Sequence, residues 1–240
     1  MASALSSENQ SPRNPPGWLG QAWLVFEKDY QIEKLSGELT ISSAFFAVLV
    51  VVLASITFHG DAARSRDIAS GVIWLSLAFS TVLALGKSWA REREGGALQG
   101  LMSSPLRASA LFAGKVLGLI LFLASIEAIV VPLVALFFRL ELFDILAPIL
   151  LLSVFALPGI AGAGTLFGAM TVKTGARELA LAIVLFPLLA PVLLAAVAGT
   201  HAIIGGAQAQ ELFSYLQLIF VFDLAFLSCG LALFGSLLED

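Results

Sequence analysis

Cysteine, histidine and charge are all scarce in this chain of 240 residues, which has one Cys, two His and only 12% Asp, Glu, Lys and Arg. The single Cys229 excludes an intrachain disulfide and any cysteine-based metal cluster, and leaves a small residue expected to pack in a core. No G-x-x-x-x-G-K-[ST] phosphate loop occurs: Gly114-Lys115 runs into Val116 without the earlier glycine, so this chain has no phosphate cradle of that kind. Nothing in the sparse, loop-confined charge supports nucleic-acid binding, and the formal net charge of −4 says little about partners.

What is abundant is apolar sequence. Hydrophobic residues make up 59% of the chain and mean hydropathy is +0.96, far above a soluble domain. A membrane-crossing helix needs about 20 mostly apolar residues to span about 30 Å of hydrocarbon. Six such runs are present, Ile41 to Phe58, Ser70 to Gly86, Val116 to Phe138, Ile145 to Met170, Leu179 to Gly199 and Leu212 to Leu238. They are continuous rather than alternating, which argues against a β-barrel. The expected fold is an all-α integral membrane protein. The fourth run carries Pro148, Pro158 and several glycines, yet counts as one span.

Before the spans, residues 1–17 are rich in Ser, Asn and Pro without an apolar signal core, and are expected to form a disordered cytoplasmic tail. Residues 18–35 mix Trp18, Trp23, Phe26, Tyr30 and Leu35 with Glu27, Lys28, Asp29, Glu33 and Lys34, the pattern of an interfacial amphipathic helix. Residues 36–240 then form the transmembrane unit. With the N-terminus inside, ten of the thirteen Lys and Arg fall on the cytoplasmic side and only Arg64, Arg66 and Arg139 outside. Both termini are therefore expected in the cytoplasm.

The charges that remain are placed unevenly. Arg91, Glu92, Arg93 and Glu94 are consecutive, Gly95 and Gly96 break the helix, and Leu98, Leu101 and Met102 share one face of a short following helix that ends towards Pro105. This cytoplasmic loop, Ala90 to Pro105, is suited to contact with another protein. Two carboxylates lie inside predicted spans, Glu127 and Asp223, without Lys or Arg in those spans, and buried ionisable groups are functional candidates by default. His59 and His201 fall at the external ends of spans, where imidazole could ligate haem. No other metal site is expected. Gly164 and Gly168 permit close helix approach.

The run Glu92-Arg93-Glu94-x-Gly96-Ala97-Leu98-Gln99-x-Leu101-Met102-x-Ser104-Pro105 resembles the corresponding loop of ABC-2-type export permeases. More narrowly, with Phe26-x-x-Asp29, Gly71-Val72-Ile73-Trp74 and Gly114-Lys115 around it, the chain resembles the haem exporter B, or cytochrome c maturation protein B, family. Ala97 and Gln99 depart from the Thr and Glu usual there.

The resemblance implies a multi-pass permease subunit of the bacterial inner membrane, working on haem during c-type cytochrome biogenesis. It is not itself an enzyme, and it has no covalently bound cofactor. A separate ABC ATPase would bind ATP, other cytochrome c maturation membrane proteins would join it, and two copies would make the permease. The loop would be the coupling element, with Arg91, Glu92, Arg93, Glu94, Gly96, Leu98, Leu101 and Pro105 facing the ATPase. Alternatives are an ABC-2-type permease for a drug, lipid or polysaccharide, and a non-transporting scaffold for haem delivery. A proton-coupled secondary transporter lacks the expected repeats and leaves the charged loop without a role.

Overall fold

A computed structural model describes residues 16–58, 62–94, 106–174, 178–207 and 209–239. Among them the chain forms helices α1 (Trp18–Ser36), α2 (Glu38–Thr57), α3 (Ala62–Glu94), α4 (Ala108–Phe137), α5 (Leu142–Thr174), α6 (Glu178–Ile204) and α7 (Ala209–Glu239). Helices α2 to α7 are the six long and apolar enough to cross a membrane, so the all-α, six-span reading holds. Backbone groups in lipid must find partners within the protein, and continuous apolar runs of this length do so as helices.

Bundle position follows from which faces are buried. Two thirds of the apolar window of α3, 67%, is buried against neighbours, whereas only 22% of that of α7 is. Helix α3 is thus central and α7 peripheral. Trp74, fully buried, donates its indole N–H to Thr200 Oγ1 at 2.8 Å and fixes α3 to α6. Helix α5 packs most extensively on α7 and remains continuous through Pro148 and Pro158. Its Gly164 lies against Leu85 and Gly168 against the Trp89 ring, so the small-residue pair serves packing on α3 within this chain.

Two expectations change. The apolar run ends near Gly86, but helix α3 continues through Glu94 up to the expected break at Gly95 and Gly96, which puts Arg91 and Glu92 on helix rather than in a loop. No breaker intervenes before Gly95, charged residues are adequate helix formers, and these charges find partners across the bundle. Cys229, expected in a core, is exposed on α7. The cause is that most of α7 faces away from the bundle, where a small apolar residue meets lipid.

The join between α1 and α2 is a single residue. Gly37 adopts φ +61°, its N–H closes α1 on Glu33 O at 2.7 Å, and its carbonyl accepts from Ile41 N at 2.9 Å. The left-handed conformation favours glycine and turns the chain from α1 into α2.

Candidate coupling junction

Residues 95–105 lie outside the described structure, and with them Gly96, Leu98, Leu101 and Pro105; so do the side chains of Arg93 and Glu94. The helices on either side of that segment are described, and both are tied to α1. On the outgoing side, Glu92 in the last turn of α3 is buried. Its Oε1 accepts from Lys28 Nζ of α1 and from Lys115 Nζ of α4, each at 2.6 Å. Lys115 also reaches Asp29 Oδ2 at 2.9 Å, and Lys28 reaches Asp29 Oδ1 at 3.4 Å. Two cations and two carboxylates from three helices therefore form one charge-balanced cluster, with Glu92 and Lys115 buried and Lys28 and Asp29 partly open to solvent.

The Lys115 ammonium lies 5.5 Å from the centroid of the Trp89 ring, which adds a cation–π contact on the apolar side of the cluster. Burial by itself disfavours the Lys28 ammonium, but the Asp29 and Glu92 carboxylates outweigh it and hold Lys28 above the ordinary lysine value. A lysine raised in this way contributes stability that is fully present at neutral pH. That contribution fades only as pH climbs past the normal lysine range. Lys28 accordingly keeps its charge, and with it its ties to Asp29 and Glu92, throughout the neutral range.

A second set of ion pairs lies beside it. Arg91 spans Glu33 of α1 at 3.6 Å and Glu38 of α2 at 3.3 Å, while Lys87 meets Glu38 at 3.0 Å. These pairs are more exposed and individually weak, but they bind the same turn of α3 to the α1–α2 corner.

On the returning side, Arg107 N donates to Gln21 Oε1 at 2.9 Å, and Trp18 Nε1 donates to Ser109 Oγ at 3.0 Å. The backbones of α1 and α4 meet where Gly114 faces Ala22 O and Val25, and a Cβ on Gly114 would fall 2.5 Å from that carbonyl. The buried face of α1, Gln21, Ala22 and Val25, is small enough for this approach, and its large apolar residues Leu19, Trp23 and Leu24 point outward.

Of the described residues singled out from sequence, the structure brings Arg91 and Glu92 together at this junction and leaves Glu127, Asp223 and His201 elsewhere. Glu127 is buried on α4, bonded to the Ser153 hydroxyl of α5. Asp223 is buried on α7 against the backbone of Gly159. Ser153 and Gly159 stand about 9 Å apart along α5 at 1.5 Å per residue, so the two carboxylates occupy separate places. His201 is exposed in the last turn of α6 and His59 lies outside the described residues. Sequence reasoning missed Lys28, Asp29 and Lys115 as one unit with Glu92. The signal available was a lysine near the start of an otherwise apolar span, which demands a counter-charge but does not name it.

No curated protein matches the chain. Residues 20–236, nearly the whole length, match the family model described as CcmB protein, and the chain belongs to that family.

Proposed function

We propose that this chain is one half of a haem-handling ABC permease for c-type cytochrome maturation, driven by a separate ATPase subunit that docks on the segment between α3 and α4. The observation that carries the coupling part of this reading is that the residues on both sides of that segment are tied to α1, Glu92 at the end of α3 and Arg107 just before α4. Closure of an ATPase dimer would displace α1 and the adjoining ends of α3 and α4 together. The work available is the ATPase's differential affinity for two permease states, without which no conformational coupling occurs. Family membership supports haem as the substrate. The charge pattern supports cytoplasmic termini in a bacterial inner membrane, and a second copy of the chain completes the permease.

Affinity purification from the native membrane with mass spectrometry tests this reading. An ABC ATPase together with haem-handling membrane proteins is the expected result. An ATPase alone would move the assignment to an exporter of another substrate, and recovery without any ATPase would overturn the permease assignment.

Glu127 offers a further check. Its amide variant, Glu127→Gln, retains the size and hydrogen-bonding capacity that α4 and α5 use at Ser153 and removes only the ionisable group. Cytochrome c output is expected to fall with chain abundance unchanged, because an ionisable group kept within a span marks a functional position. Unaltered output would restrict Glu127 to packing.

A further inference from the structure

At the end of the bundle opposite the ionic junction, the α4–α5 and α6–α7 turns enclose a cleft of about 560 Å³. Its floor is apolar, made by Ile145 and Leu151 of α5 with Leu212 and Leu216 of α7. Its rim carries both signs of charge, Arg66 and Arg139 with Glu141 and Asp144. All four rim residues are exposed, and among the described residues none of their side chains has an ion-pair or hydrogen-bond partner. Opposite charges gathered at one cleft without neutralising each other leave two anion-seeking and two cation-seeking groups available to a ligand.

The backbone at this rim supplies a second observation. Arg139 has φ +56°, the left-handed conformation, and is the one non-glycine residue with positive φ among those described. It closes α4, with Leu140 N bonding back to Ala135 O at 2.8 Å, at a position where glycine is the usual residue. The guanidinium therefore stands at a site that backbone energetics alone would give to a residue without a side chain.

Depth decides what class of molecule fits. From Ile145 to Leu151 the floor descends about 9 Å along α5, and Leu151 is 49% exposed, so the cleft opens sideways at hydrocarbon depth. A ligand needs an apolar tail lying along α5 and a head at the interface bearing one anion and one cation. A dianionic amphiphile such as a tetrapyrrole with two carboxylates would satisfy the arginines but face Glu141 and Asp144 unpaired. An anionic phospholipid has the same defect. A choline head offers no N–H donors to the carboxylates.

We infer that this cleft is a binding site for a single aminophospholipid, its phosphate held by Arg66 and Arg139 and its ammonium by Glu141 and Asp144. Charge-assisted contacts on both groups select phosphatidylethanolamine over lipids that carry only one. The inference does not depend on haem or on an ATPase.

Native mass spectrometry of the full chain released from nanodiscs of equal phosphatidylethanolamine, phosphatidylglycerol and phosphatidylcholine tests it, with a parallel arm adding haemin. The wild type is expected to retain phosphatidylethanolamine about tenfold over the other two lipids. Arg66→Gln with Arg139→Gly removes both guanidiniums, the second change being favourable at its φ, and is expected to abolish retention in a chain that remains folded and monodisperse. Glu141→Gln with Asp144→Asn is expected to erase the preference for phosphatidylethanolamine over phosphatidylglycerol. Equal retention of all three lipids by the wild type, unchanged retention in either variant, or displacement of lipid by haemin through the same arginines would overturn the assignment.

Discussion

Gly114→Val is expected to release α1 from the bundle and to abolish cytochrome c output while α2 to α7 still insert. The new Cβ would lie 2.5 Å from Ala22 O and 2.6 Å from Val25 Cβ. The first neighbour is a helix backbone atom and cannot rotate away, so relief requires moving α1 bodily. Overpacking of a yielding core typically destabilises by about 1–3 kcal/mol, and a clash with backbone belongs at or above the top of that range. Displacing α1 would also break the Trp18–Ser109 and Gln21–Arg107 bonds, because both lie on the same helix face. Hydrogen exchange in the purified chain checks the outcome directly: α1 amides should approach the rate of an unpacked helix while those of α3 stay protected. Unchanged protection of α1 would show that the two helices do not depend on this contact. Gly114→Ala should give the same direction with a smaller effect, since one methyl lets the helices part less.

Charge reversal at Glu92 should be nearly as damaging for a different reason. Glu92→Lys would place a third ammonium beside Lys28 and Lys115, with only Asp29 to balance them. Breaking a buried pair so that a charge is left uncompensated costs about 3–5 kcal/mol, enough to threaten a marginally stable fold. Expected results are a large drop in thermal stability and loss of ATPase co-purification.

A rescue separates this explanation from direct contact with the ATPase. Removing both charges, as Glu92→Leu with Lys115→Met, leaves the Lys28–Asp29 pair and an apolar centre. Buried ion pairs replaced by apolar residues of similar volume are often neutral in stability. The double variant should therefore recover stability and ATPase association relative to Glu92→Leu alone. Failure of the Lys115 change to rescue would locate the role of Glu92 outside the chain.

The two families of residues differ in how far sequence could anticipate them. The spans were legible because the requirement is local: a run of apolar residues either reaches across hydrocarbon or does not. The helix end at Glu94 was legible in principle, since Gly95 and Gly96 are the first breakers, but the charged turn looked like a loop until its partners were known. The surroundings of the coupling segment were only half legible. Phe26-x-x-Asp29 and Gly114-Lys115 stood out as family features without a physical role, and the junction gives Asp29 and Lys115 one.

The sequence by itself determined the class of the protein, its six spans and its family, because hydrophobic length and short motifs are properties of contiguous residues. Tertiary structure alone decided that Lys28, 64 residues before Glu92, and Lys115, 23 residues after it, donate to the same Glu92 carboxylate oxygen. It also decided that Arg66 and Arg139 face one cleft with Glu141 and Asp144. A charge in an apolar chain announces that it needs a partner, but only the packing of helices chooses which of the few available it will be.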